Sequence, residues 1–169
     1  PEIYDEKYAK WQFEDLPIIP EVWKVQVSED KKKQFEVLCS LMKREDVAYL
    51  VNGCDAGREG ELIFRYIYLH LGCRKPFVRL WISSLTDKAI REGMEKLQPG
   101  SQYDNLYRSA QARSEADWLI GINATQALSV AAGQGVFSLG RVQTPTLVMI
   151  CNRFLENKDF VPTKFWQLK

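Results

Sequence analysis

The sequence predicts a parallel α/β unit followed by an all-helical segment, and three observations carry that prediction. Between about residues 29 and 97, stretches of helical period alternate with short β-rich runs in the order helix, strand, helix, strand, helix. That order requires parallel strands joined by helical crossovers. Pro99-Gly100 then breaks the pattern, and from residue 104 onward the period is helical almost throughout, interrupted at Gly133-Gln134-Gly135. The boundary is expected near 98–104, giving domains of residues 1–100 and 101–169.

Residues 1–28 hold Leu16-Pro17-Ile18-Ile19-Pro20 and scattered aromatic residues without a sustained period. The prolines exclude a regular interior element, so an extended, docked segment is expected. Ser28 can cap a helix to about Arg44, on which Phe35, Leu38, Leu41 and Met42 recur at helical spacing behind the solvated Lys31-Lys32-Lys33. Val47 to Val51 reads as a short strand ending at Asn52-Gly53, and Glu59 to about Leu71 as a helix stopped by Gly72. Phe77 to Ile82 is the second strand, after which Ser84 and Thr86 can cap a helix to about Leu97. Leu106, Ala110, Trp118, Ile122 and Leu128 give residues 104–131 a packing stripe. A last helix is expected over about Gln143–Asn157, with Pro145 tolerated in its first turn, before an extended exit.

At 169 residues and 46% hydrophobic, the chain has the composition of a globular protein able to bury a core. Charge breaks its apolar runs far short of the roughly 20 residues that span a bilayer. Pro1-Glu2-Ile3-Tyr4 lacks an initiator Met, a basic n-region and an apolar h-region, so it reads as cut from a longer chain and not as a secretory signal. Cys39, Cys54, Cys73 and Cys151 never approach C-x-x-C spacing and His70 is the single histidine, which argues against a zinc site and for reduced thiols. A net charge of +1 argues against a polybasic arm, so any nucleic-acid contact has to come from a local patch. Residues 101–169 carry seven Lys+Arg against five acids, leaving the first part slightly acidic, as suits a cation, and the second slightly basic, as suits phosphate.

The most informative segment is Asp55-Ala56-Gly57-Arg58-Glu59-Gly60-Glu61, which lies where a strand ends and a helix begins. Ligands of open parallel sheets bind at that end of the strands. Three carboxylates in seven residues repel one another, and a cation or phosphate-bound metal offsets the repulsion. Mg²⁺ suits such a loop because it takes hard oxygen ligands, keeps several waters, and uses one or two carboxylates together with substrate phosphate. The plainer alternative is an acidic helix N-terminus, where the dipole favours each carboxylate by about 0.3–1 kcal/mol. Gly57 and Gly60 favour a site, because glycine lets backbone come close to a ligand.

The same segment resembles the D-x-D-R-E-G-E acidic motif of the Toprim fold in type IA DNA topoisomerases. Asp55, Arg58, Glu59, Gly60 and Glu61 match, while Gly57 stands where the pattern has its second Asp. That variant is similar to the topoisomerase III branch and puts a two-ion site in doubt. Asp15-Leu16-Pro17-Ile18-Ile19-Pro20, Arg79-Leu80-Trp81-Ile82-Ser83-Ser84, Ala116-Asp117-Trp118-Leu119-Ile120-Gly121-Ile122-Asn123 and Gly140-Arg141-Val142-Gln143-Thr144-Pro145-Thr146-Leu147 also resemble segments of that family, in the family's order. The resemblance covers essentially the whole chain. It implies a partial Toprim domain, Rossmann-like with a parallel sheet and flanking helices, joined to the start of the helical domain that grips a single DNA strand.

The resemblance makes Asp55 and Glu59 the expected Mg²⁺ ligands and, with Arg58 near the scissile phosphate, the expected catalytic residues. Arg113 and Asp117 lie four apart on the long helix and are expected to share a face. As plain chemistry they make an exposed ion pair, of a kind worth under about 1 kcal/mol. The resemblance instead assigns Arg113 to DNA phosphate and Asp117 to a sugar or base edge. Gly140 and Arg141 open the following helix, where free N–H groups and a guanidinium can hold phosphate together, with Gln143 and Thr144 as neutral donors. An ordinary solvated loop is the alternative, and the likeness to the family's strand-binding segment favours DNA. Trp118 can stack on a base or join Leu119 and Ile122 in an apolar stripe, and the stripe is preferred. His70 is expected to be structural.

Type IA enzymes cut one strand by attack of a tyrosine on phosphorus, keep a phosphotyrosine link, pass another strand and reseal the first. The resemblance therefore implies an ATP-independent, bacterial-type parent with single-stranded DNA as substrate, no nucleotide cofactor, no membrane partner, and a cytoplasmic, nucleoid-associated location. None of the seven tyrosines sits in the nucleophile's context, and the first Toprim strand with its Glu is expected before Pro1. The chain alone is thus expected to bind a single strand without cleaving or relaxing DNA, and its open sheet edge predicts self-association. Another Toprim enzyme, such as a primase or an overcoming-lysogenization type nuclease, would share the acidic loop but lack the GRVQTP and EADWLIGIN segments. A non-catalytic single-strand-binding or assembly protein that kept the fold is favoured by Gly57 alone.

Overall fold

A computed structural model describes residues 1–168. Its elements run in the order α1 (Lys32–Lys43), β1 (Leu50–Asn52), α2 (Arg58–His70), β2 (Phe77–Arg79), α3 (Asp87–Glu95), β3 (Gln98–Pro99), α4 (Asp104–Ala132) and α5 (Gln143–Lys158). The fold is mixed α/β, mostly helical, with a small three-stranded sheet. Two compact units are present, Pro20–Ala116 and, by itself, Pro1–Ile19 together with the chain from Asp117 onward.

Within residues 20–116, β1 pairs in parallel with β2, Leu50 opposite Phe77 and Asn52 opposite Arg79, with α2 as the crossover. The alternating pattern of the sequence requires this connection. The third strand was not expected: β3 pairs antiparallel with β2, Val78 opposite Pro99 and Arg79 opposite Gln98. It lies at the sheet edge, where a proline without an N–H is tolerated. Gly100 follows because a Cβ there would lie 2.1 Å from the Phe77 ring. Thr86 caps α3, its Oγ1 accepting from Ala89 N at 3.3 Å, and Gly72 ends α2 at φ +59. Ser28 leads into a 3-10 turn, Glu29–Lys31, before α1 begins, and its side chain makes no capping bond.

The interior of this unit is only partly hydrocarbon. Leu62 and Ala110 are buried apolar residues, but Asn52, Glu61 and Arg79 are each 0% exposed. Phe64 and Tyr68 meet Phe77 with ring centroids 4.9 and 5.1 Å away, and the Arg65 guanidinium lies over the Phe77 ring at 4.6 Å. His70 meets Phe35 edge-on at 5.4 Å, beside an apolar cavity of about 350 Å³ between α1 and α2 that Leu38, Ile63 and Ile67 also line. That is packing, as expected for a histidine late in an apolar helix.

In the other unit, the N-terminal segment is irregular, as its prolines require. Two 3-10 turns, Glu6–Ala9 and Phe13–Asp15, precede the cis Leu16–Pro17 bond. Ile18 is buried at 1% exposure. Its backbone is held by Asn123 of α4, whose Oδ1 accepts from Ile18 N at 2.5 Å and whose Nδ2 donates to Ile18 O at 3.0 Å. The amide thus acts as a one-residue strand partner for a segment that has no sheet to join. Trp118 meets Tyr4 edge-on at 5.6 Å, so it packs, as the apolar stripe predicts. On α5, Leu147, Val148, Met149, Ile150, Phe154 and Leu155 are each at least 50% exposed. Among the described residues no helix is long and apolar enough to cross a membrane.

Candidate functional site

The acidic segment lies in the loop from β1 to α2, with Gly57 at the N-cap of the helix. Asp55, Arg58 and Glu59 are exposed there. Glu61 is not part of that exposed set. Successive helical residues are turned by about 100°, so Glu59 and Glu61 lie about 200° apart around α2 and cannot share a face. Glu61 faces inward at 0% exposure. Asn52 Nδ2 donates to its Oε2 at 2.9 Å and Arg65 Nε to its Oε1 at 2.8 Å. Arg79 Nε lies 3.1 Å from Oε2, an ionic contact whose angle falls outside hydrogen-bond geometry. The expected cluster of three mutually repelling carboxylates is therefore two exposed groups and one buried, paired group.

The paired charges alternate in sign and end at Asp104, whose side chain is about half exposed. Arg65 Nη2 donates to Asp104 Oδ1 at 2.7 Å and to Gly100 O at 2.8 Å, so Arg79, Glu61, Arg65 and Asp104 form a chain without net charge. A single charge removed from water is costly, and the alternation of sign is what makes the arrangement tolerable. Arg79 also binds backbone: Nη1 donates to Asn52 O at 2.9 Å, Cys54 O at 2.6 Å and Leu80 O at 2.9 Å, and Nη2 to Asp55 O at 2.5 Å. Burial pushes the Cys54 thiol up, with Asp55 and Glu61 adding to the shift against the opposing charge of Arg79. Burial thus favours the neutral thiol of Cys54 over the thiolate.

The two glycines of the motif differ. A Cβ on Gly60 would lie 2.1 Å from Asp55 O, so the close approach is of helix to loop. A Cβ on Gly57 would meet nothing within 4 Å. Among the described residues no group of three His, Cys, Asp or Glu side chains comes together as a metal cage. Two exposed carboxylates do not make a cage of protein ligands, and hard-oxygen chemistry of that kind suits a Mg²⁺ ion that keeps most of its water.

The expected DNA-contacting residues divide between the units. Arg113 is exposed on the part of α4 that belongs to residues 20–116. Asp117, Arg141, Gln143 and Thr144 belong to the other unit. There the Asp117 carboxylate receives both Arg141 Nε and, at 3.2 Å, Arg141 Nη2. The pair is about 40% exposed on each side, and the carboxylate holds the Arg141 guanidinium above its usual range. Gln143 Nε2 donates to Ser138 Oγ at 2.6 Å, and Thr144 Oγ1 accepts from Gly140 N at 3.1 Å. These two side chains brace the turn before α5.

That turn is also fastened to α4. Leu139 N donates to Thr125 Oγ1 at 3.0 Å, Thr125 Oγ1 donates back to Leu139 O at 3.2 Å, and Phe137 N donates to Ser129 Oγ at 2.8 Å. Arg141 is thereby carried on a loop whose backbone is fixed by helix hydroxyls. Sequence reasoning missed Thr125, Ser129, Asn123 and Arg79 as positioning groups. A signal existed for Arg79, a charged residue inside an apolar strand adjoining an acidic loop. Thr125 and Ser129 look like ordinary helix residues.

Residues 101–169 match the family model described as DNA topoisomerase. Over all 169 residues the chain is 50% identical to proteins named DNA topoisomerase 3 from Bacillus subtilis (strain 168) and Bacillus thuringiensis (strain Al Hakam). It is 49% identical to the protein of that name from Bacillus licheniformis. The matches take in 100% of this chain and 23% of each relative, so the chain spans about a quarter of the length of the curated relatives it matches.

Proposed function

Starting from a chain that is a topoisomerase III-like, type IA segment along its whole length, we propose that it supplies two parts of one strand-cutting machine. The parent is a Mg²⁺-dependent, ATP-independent topoisomerase that cleaves a single DNA strand through a phosphotyrosine link, passes another strand and religates the first. Residues 1–100 are a partial Toprim domain and residues 101–169 the start of the helical domain that holds the single strand. The observation that carries this reading is the 50% identity over all 169 residues, a match whose span takes in both the acidic loop and the turn before α5.

In this reading Asp55 and Glu59 would hold Mg²⁺, which would supply stabilisation of negative charge on the phosphate. Arg58, at the start of α2, meets the scissile phosphate, where first-turn N–H groups favour an anion. Asp55 or Glu59 moves the proton that accompanies exchange of the ester oxygen. Arg113 and Arg141 contact phosphates, Asp117 a sugar or base edge, and Gln143 and Thr144 add neutral donors. Single-stranded DNA is the partner, no nucleotide is needed, and the parent works in the cytoplasm on the nucleoid. The exposed apolar side chains of α5 support self-association of the chain studied alone. The test is relaxation of supercoiled plasmid by the full-length protein with Mg²⁺ and without ATP, with trapping of a covalent protein–DNA adduct by denaturant. Relaxation that requires ATP, or cleavage without an adduct, defeats the reading.

A further inference from the structure

We propose that Arg79 is the positioning residue of the acidic loop, fixing the backbone from which Asp55 projects and tying it, through Glu61, to the helix that carries Glu59. Four carbonyl oxygens converge on one fully buried guanidinium: Asn52 O at the end of β1, Cys54 O and Asp55 O in the loop, and Leu80 O beyond β2. A three-residue strand cannot by itself direct the loop that leaves it. The planar fork does so, because its donors point along fixed directions, which an ammonium cannot copy. Glu61 completes the device from below. It holds Arg79 at 3.1 Å and is itself fixed by Arg65 and Asn52, so the orientation of the fork is set by α2, the helix whose first turn carries Glu59. Gly60 allows the loop to close, since any side chain there would strike Asp55 O. The carboxylate of Glu61 is thus a counter-ion within the support and not a third ligand.

This inference rests on the proposed reading only for its consequence at the metal, and the two can fail separately. The test compares the chain with its Arg79→Lys and Arg65→Lys variants by amide hydrogen exchange over residues 53–58 and by Mn²⁺ affinity from electron paramagnetic resonance. Both variants keep a positive charge beside Glu61, but Arg65 reaches no loop carbonyl. For Arg79→Lys, loop exchange rises about tenfold while protection in α4 is unchanged, and Mn²⁺ affinity falls about tenfold, the size usual for groups supporting a ligand. Arg65→Lys, which loosens only one of the two holds on Glu61, changes both much less. Equal loop exchange in Arg79→Lys and the parent chain, or the same rise in both variants, overturns the proposal. Should Arg79→Lys not fold, nuclear magnetic resonance of the unsubstituted chain decides. A locked fork gives separate, slowly exchanging Arg79 guanidinium signals, and one averaged signal overturns the proposal. If the unsubstituted chain binds no Mn²⁺, the metal reading fails, while loop exchange still decides the role of Arg79.

Discussion

Arg141 turns its guanidinium onto the carboxylate of Asp117, 24 positions earlier in the chain, through Nε and Nη2. Two residues expected from the resemblance to contact DNA are thus paired with each other. A phosphate that takes Arg141 has to displace a carboxylate, so Asp117 sets how readily Arg141 is surrendered. Exposed pairs of this kind are weak, and Asp117→Asn is expected to tighten binding of a single-stranded oligonucleotide by about two- to fivefold. A titration at fixed low salt checks it. Unchanged or weaker binding means that Asp117 contributes a contact to DNA that outweighs its hold on Arg141.

The burial of Glu61 separates two carboxylates that lie two positions apart. Glu61→Gln leaves Arg65 and Arg79 without their shared counter-charge and is expected to cost about 3–5 kcal/mol in urea unfolding. Glu59→Gln, at an exposed position, is expected to leave the unfolding midpoint unchanged and to weaken Mn²⁺ binding. Equal effects of the two substitutions on stability would contradict the inward placement of Glu61.

Gly60 and Gly57 are expected to respond oppositely. Gly60→Ala puts a methyl group against Asp55 O and is expected to destabilise by about 1–3 kcal/mol. Gly57→Asp enters open space on extended backbone, at φ 177. It is expected to fold like the parent chain and to raise Mn²⁺ affinity by adding a carboxylate to the exposed pair. Thermal melts and cation titrations of both variants check the pair of outcomes.

Asn123 brackets Ile18 from 105 positions away. Asn123→Ala leaves a buried N–H and carbonyl without partners and is expected to cost about 2–4 kcal/mol. Proteolysis should then start within residues 1–19. Resistance equal to that of the parent chain would show that the proline-rich segment is held mainly by Ile18 itself.

Elements announced by period were legible in the sequence. The helical repeats over residues 59–71 and 104–131 correspond to α2 and α4, and Thr86 and Gly72 cap where their chemistry requires. The strands were legible in position but not in extent, because Phe77–Ile82 pairs only over Phe77–Arg79. Strand β3 was not legible, since two residues ending in proline carry no period. At the acidic loop, residue type and spacing gave a cluster of three carboxylates, and the inward turn of Glu61 was not legible because it depends on which face of α2 meets the sheet. The partners of Arg79 are backbone carbonyls, which leave no trace in side-chain pattern. The pairing of Asp117 with Arg141 spans a long helix and a loop, a separation that local spacing does not reach.

Anisotropy of a labelled single-stranded oligonucleotide decides whether the turn around Arg141 grips a single DNA strand, as proposed. The titration is made at two salt concentrations beside a duplex of the same sequence and the Arg141→Ala variant. Such a grip gives preferential single-strand binding that weakens with salt through counterion release, and a weaker complex for Arg141→Ala with a salt slope lower by about one. Binding that is absent, equal for duplex and single strand, or unaffected by Arg141→Ala would contradict it.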